Sequence, residues 1–137
     1  MSPPFFLDTN VLLYASLQPD PRSEAARALL ARRGTISVQV LNEFASVAAR
    51  KLHRTRPEIT RALAAIRVLC APPRALTLAT HEAGIVIAGR TGYRLYDALI
   101  IAAALEAGCD TLFSEDLHDD QVIDGRLTIR NPFRSIA

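Results

Sequence analysis

Eight consecutive residues without a polar side chain, Ala98 to Leu105, constrain this chain more than any other segment. The run is far too short to cross a membrane. A helix that is apolar all round must be enclosed on most sides, so the rest of the chain has to build layers around it. The sequence has 137 residues, half of them hydrophobic, which fits one domain over 1–137 with enough material for a core of its own. Trp is absent and aromatics are only 6%, so aliphatic side chains and Ala must fill that core.

The surrounding pattern supplies such layers. Phe5-Phe6-Leu7 reads as a short buried strand ending at Asp8, followed by a short helix over Asn10–Leu17 that Pro19 and Pro21 stop. Ala25, Ala26, Leu29 and Leu30 have helical spacing from Ser23, closed by Gly34. Thr35–Val38 reads as a second strand, with a helix to about Leu52. Pro57 opens another helix to about Cys70, broken by Pro72-Pro73. Leu76 and Leu78 suggest a strand, Thr80–Arg90 a helix closed by Gly92, and Ala98–Ala107 the enclosed helix, with Gly108 as its cap. Thr111–Phe113 and Leu127–Ile129 are further short strands. Helices alternating with short apolar strands predict an α/β sandwich with a mainly parallel sheet.

Met1 to Leu7 contains no basic region and no long apolar segment, so no signal peptide is expected. Cys70 and Cys109 form no Cys-x-x-Cys pair. Buried reduced thiols in a cytoplasmic protein are the expectation, and a zinc site built from cysteines is excluded.

The formal net charge of +2 conceals segregation. Residues 22–94 hold 13 bases against four acids, whereas residues 110–124 hold six acids and no Lys or Arg. Within this pattern four acids stand beside core-forming residues. Asp8 directly follows the first strand and Asp116 follows Thr111–Ser114, and in open α/β sheets ligands bind beyond the carboxyl ends of strands. Glu43 borders the apolar sector of Val40, Phe44 and Val47, and Asp97 opens the all-apolar helix. Each has an ordinary alternative. Asp8 or Asp97 could be a helix cap, Glu43 a surface glutamate and Asp116 a turn residue. Taken jointly, converging carboxylates repel, by roughly 3 kcal/mol per pair at ~5 Å, and a divalent cation relieves that. Oxygen ligands without Cys or clustered His favour Mg2+ or Mn2+ over Zn2+. Without the four acids the scaffold carries 16 bases against ten acids, which suits a polyanionic substrate.

Asp8-Thr9-Asn10-Val11-Leu12, Gln39-Val40-Leu41-Asn42-Glu43-Phe44, Tyr96-Asp97-Ala98-Leu99-Ile100 and Phe113-Ser114-Glu115-Asp116-Leu117 together resemble the PIN-domain family, and more narrowly the VapC toxins of bacterial type II toxin–antitoxin pairs. The resemblance runs from Phe5 to about Phe133 and rests on the order and the 35-, 54- and 19-residue spacings of the acids. It implies a three-layer α/β/α sandwich and a metal-dependent endoribonuclease that hydrolyses RNA phosphodiester bonds with a metal-activated water. It further implies that Asp8, Glu43, Asp97 and Asp116 form the catalytic, Mg2+- or Mn2+-holding quartet, supported by Thr9, Asn10 and Ser114. The implied partners are RNA, a VapB-like antitoxin and a second copy of the chain, away from membranes.

One position departs from a common pattern of the family: the second acid often found two residues after the fourth is here His118, with Asp119 and Asp120 beyond it. An exposed turn is expected there rather than a fifth ligand. Arg50 and Arg54 fall near the azimuth of Glu43, seven and eleven residues on, and could guide phosphate, or simply be solvated. Other classes remain to be weighed. A haloacid-dehalogenase-type phosphatase needs an aspartate where Asn10 stands, and a response-regulator receiver needs a lysine after a late strand, whereas the only lysine is Lys51. A housekeeping ribonuclease of the same family would share these motifs, whereas a non-catalytic acidic-pocket binding module would be marked by loss of one of the four acids, and none is lost.

Overall fold

The computed structural model describes residues 4–136, so Met1 to Pro3, on which the leader reading partly rests, and Ala137 at the end of the expected 1–137 domain lie outside the described residues. Strand β1 (Phe5–Leu7) is followed by five helices: α1 (Thr9–Ser16), α2 (Ser23–Leu30), α3 (Val38–Arg50), α4 (Arg56–Leu69) and α5 (Leu78–Thr91). Helix α6 (Leu95–Glu106) then leads to β2 (Thr111–Phe113), β3 (Val122–Ile123) and β4 (Leu127–Arg130). The sheet order is β1-β2-β4-β3. Phe6 pairs with Leu112 and Leu112 with Ile129 in parallel register, while β3 runs antiparallel to β4 at the edge. The sheet is thus mainly parallel, as the alternation of strands and helices implies.

Neighbouring residues of a strand point to opposite faces. Phe6 and Leu7 are both fully buried, so β1 is covered on both faces, the condition a parallel sheet imposes. Helix α6 meets its sequence constraint directly: Ala98 through Ala104 are all buried. Helix α5 packs closely on it, because Gly84 lacks a Cβ that would sit 2.6 Å from Leu99 Cδ2. Gly92 ends α5 in the left-handed conformation, φ 81°, which a glycine adopts without steric cost.

Two expected strands differ. Thr35–Val38 is reduced to isolated bridges, Phe6 with Thr35 and Ser37 with Arg74. The reason is local: the Ser37 hydroxyl accepts from the Val40 amide and caps α3, so the chain must turn at the point where the strand would continue. Leu76 and Leu78 form no strand. Thr77 and Thr80 make a reciprocal cap that starts α5 at Leu78, and both leucines stay largely exposed. The two-residue β3 had no apolar alternation to announce it.

Candidate active site

Parallel pairing of β1 with β2 sets their carboxyl ends side by side, with the Asp8 amide donating to the Phe113 carbonyl at 3.0 Å. Asp8 and Ser114 are the first residues past these two strands. Ser114 is fully buried and organises the corner. Its hydroxyl donates to Asp8 Oδ2 at 2.7 Å and accepts from the Asp116 amide at 3.2 Å. Asp8 is the N-cap of α1, with Oδ1 accepting from the Thr9 amide at 2.7 Å. The capping reading of Asp8 therefore holds for one oxygen, and the other is left to Ser114.

Two further acids join through side chains of α1. Thr9 Oγ1 donates to Glu43 Oε2 at 2.9 Å, and Asn10 Nδ2 donates to Asp116 Oδ2 at 3.2 Å. Gln39, one helical turn before Glu43, donates to its Oε1 at 3.3 Å. Among the described residues, no Lys, Arg or His forms an ion pair with Asp8, Glu43 or Asp116. Burial pushes the Asp8 carboxyl up to about 7; the Ser114 and Thr9 bonds oppose this, and the charges of Glu43 and Asp116 add to it.

Asp97 stands in the first turn of α6, where the helix N-terminus favours a carboxylate, but it is not the cap, a position held by Arg94. Its partner is Arg94 Nε at 3.4 Å. The side chains do not form the single cage of four carboxylates expected from the motifs. Among the described residues, no group of three or more Asp, Glu, His or Cys is arranged to hold a metal ion. Each acid is turned to its own donor: Asp8 to Ser114 and Thr9, Glu43 to Thr9 and Gln39, Asp116 to Asn10, Asp97 to Arg94. The donor chemistry still fits a hard divalent cation. Its atoms are all oxygens, three of the acids lack a basic partner, and the buried one is pushed up further by the charges of the other two.

The remaining site expectations divide. Arg54 does not offer its guanidinium to a phosphate: it donates to the Leu17 carbonyl at 2.5 Å, pairs with Glu58 at 3.4 Å, and buries Nε. Its azimuth on α3 suggested otherwise, but the chain leaves the helix at Arg50 and the long side chain follows a different path. Arg50 is exposed at the end of α3. Asp119 and Asp120 are both engaged by Arg134, and Asp120 also by Arg130. His118 is exposed and packs edge-on to Tyr93, 5.5 Å between ring centroids. Sequence reasoning missed Gln39, though its four-residue spacing from Glu43 was a usable signal. It also missed the arginine and tyrosine that grip Glu115, for which no local signal exists.

The model of the PIN domain matches residues 5–122. The chain belongs to the PIN-domain family. No curated protein matches it by sequence. Solved structures of this fold include VapC20 of Mycobacterium tuberculosis, a sarcin–ricin-loop-cleaving toxin, at 23% identity and TM-score 0.67 over 82% of this chain and 91% of that one. VapBC2 of Rickettsia felis, solved bound to a promoter DNA fragment, is similar at 18% identity and TM-score 0.66 over 93% and 97%. A toxin–antitoxin complex of Klebsiella pneumoniae is similar at 21% identity and TM-score 0.66 over 93% and 96%. At these identities the likeness is one of fold, and it makes the α/β arrangement of this PIN domain that of VapC structures.

Proposed function

We propose that this chain is a metal-dependent endoribonuclease and the toxin of a bacterial type II, VapBC-like pair. The observation that carries the reading is the buried Asp8 carboxyl at the shared ends of β1 and β2, raised by its burial and further by the charges of Glu43 and Asp116, with no basic partner among the described residues. Membership of the PIN-domain family and the likeness to toxin structures support it.

In this reading Asp8, Glu43, Asp97 and Asp116 hold Mg2+ or Mn2+, and Thr9, Asn10 and Ser114 orient them. The cation supplies Lewis acidity for a water nucleophile and positive charge for the phosphoryl oxygens. The chain supplies position. Ser114 and the Thr9 amide hold the two oxygens of Asp8 from opposite ends. Thr9 and Gln39 fix Glu43, and Asn10 fixes Asp116. Asp97 gives up its Arg94 contact, a pair whose arginine side chain is 87% exposed and which is therefore weak. Arg50 is free to meet an RNA phosphate near the far end of α3. The partners are RNA, a VapB-like antitoxin that blocks the acidic site, and a second copy of the chain, in the cytoplasm. No helix is long and apolar enough to cross a membrane among the described residues.

The test is RNA cleavage by the purified chain with Mg2+ or Mn2+, with EDTA, and by Asp8→Ala and Asp97→Ala variants whose fold is checked by circular dichroism. Cutting should need the cation and vanish in both variants. Equal cutting by parent and variants would sink the proposal.

A further inference from the structure

Asp116 is exposed, and its carboxylate has one side-chain donor, Asn10 at 3.2 Å. Its backbone amide donates to Ser114 Oγ at 3.2 Å, and the peptide before it is held separately. Its neighbour Glu115 is far more firmly held. Glu115 Oε2 accepts from the Tyr14 hydroxyl at 2.8 Å, and Oε1 pairs with Arg22 Nε at 2.7 Å. The Glu115 amide donates to Asn10 Oδ1 at 3.3 Å. Asn10 and Tyr14 lie four residues apart on α1 and so share one face of it. That face holds residue 115 by its backbone and its side chain at once.

The two residues that grip the carboxylate are themselves anchored. Arg22 also binds both oxygens of Asp20, at 2.9 and 3.0 Å, and its guanidinium lies over the Tyr14 ring, 5.1 Å from the centroid. Tyr14 packs edge-on to Phe133, 5.4 Å between centroids. Glu115 has a side-chain exposure of 23%, so its charge-assisted bonds are partly shielded from water.

We infer that Glu115 is a positioning residue that fixes Asp116 for cation binding through the Tyr14–Arg22 clamp, and is not itself a ligand. This rests on the nuclease reading for its purpose but not for its geometry. With the clamp in place the 115–116 peptide is fixed from α1 before any cation arrives. Without the clamp the 115–116 peptide, tethered by buried Ser114 and Leu117 on either side, samples other backbone conformations, and cation binding must bear the cost of ordering it.

The test uses Tyr14→Phe, which keeps the ring packing and removes one bond, and Glu115→Gln, which keeps an acceptor and removes the charge. Amide hydrogen exchange is followed for residues 115–117 and for α6, beside Mn2+ titration by thermal shift and RNA cutting across Mg2+ concentrations. In both variants the 115–117 amides should exchange about tenfold faster, the scale of one lost hydrogen bond, with α6 unchanged. The cation concentration for half-saturation should rise by a similar factor. The maximal cutting rate at saturating Mg2+ should return to within about twofold of the parent, as expected when only ordering is lost. Unchanged exchange and unchanged Mn2+ titration would overturn the inference. So would a Glu115→Gln chain that stays folded yet cuts at no cation concentration, because that is how a ligand behaves. Faster exchange with weaker Mn2+ binding, in a chain whose parent cuts no RNA, would uphold the clamp and refute the nuclease reading alone.

Discussion

The acids of residues 119–124 and those at the ends of β1 and β2 differ in how their charge is met. Asp119 accepts from the Asn131 amide and from Arg134, both at 2.8 Å; Asp120 meets Arg130 and Arg134; Asp124 meets Arg90. Among the described residues, Asp8, Glu43 and Asp116 accept only from hydroxyls, carboxamides and a backbone amide. The consequences are opposite. The Asn131 amide, and after it Arg134, hold the Asp119 carboxyl below its usual range, whereas burial pushes Asp8 up to about 7. An acid whose charge the chain itself neutralises is a structural tie. An acid left to repel its neighbours in a buried corner destabilises the fold and calls for a functional reason.

The largest effect that would break this contrast is on activity. Asp8→Ala should lower RNA cutting by at least about a hundredfold, on the scale of removing a group that acts at the reacting centre, while Asp119→Ala leaves cutting within about twofold. A gel assay with matched protein concentrations compares them, and equal losses would erase the distinction.

Next comes the pH dependence of stability in EDTA. The folded-state pKa of Asp8 lies above its unfolded value of 3.8, so the folded chain binds the extra proton between about pH 4 and 7. Stability from this group is therefore greatest below pH 4 and falls as pH rises through 7, by on the order of 4 kcal/mol for a span of about three pH units. Denaturant melts of Asp8→Asn should lose that slope. Asp119 works the other way: its lowered pKa contributes stability above its unfolded value, lost as pH falls below it.

Smaller again is the response to the cation. Mg2+ at about a hundred times its dissociation constant should stabilise the parent by ~2.7 kcal/mol, and much less after Asp8→Asn, read as a shift in melting temperature. The smallest is Asp97→Asn without metal, which should change stability by no more than about 0.5 kcal/mol, because the arginine of the pair it breaks is largely exposed. A large fall would mean that Asp97 does structural work at the start of α6.

Much of this was legible in the chain. The apolar run at 98–105 marked α6, and the acids after Leu7 and Phe113 marked the strand ends, because such patterns depend on burial that neighbouring residues share. What escaped was decided by single hydrogen bonds, some local and some to partners distant in sequence. Thr35–Val38 looked like a strand until Ser37 was seen to cap α3. Arg54 looked like a phosphate guide until its path to the Leu17 carbonyl was visible. The motifs led to the expectation of four acids in one region, but the direction of each carboxylate depended on Thr9, Gln39, Asn10 and Arg94, of which Thr9 and Asn10 reach their acids only once α1 has docked.

Asp8 starts the first helix and also supplies the buried carboxyl of the corner. On the nuclease reading, variants that silence the protein at this position should also weaken the start of α1, because the carboxyl that would meet the cation also caps that helix. Asp116, exposed and capping nothing, has no such double duty. On the same reading, an inactive chain that keeps its fold would be reached with least disruption there.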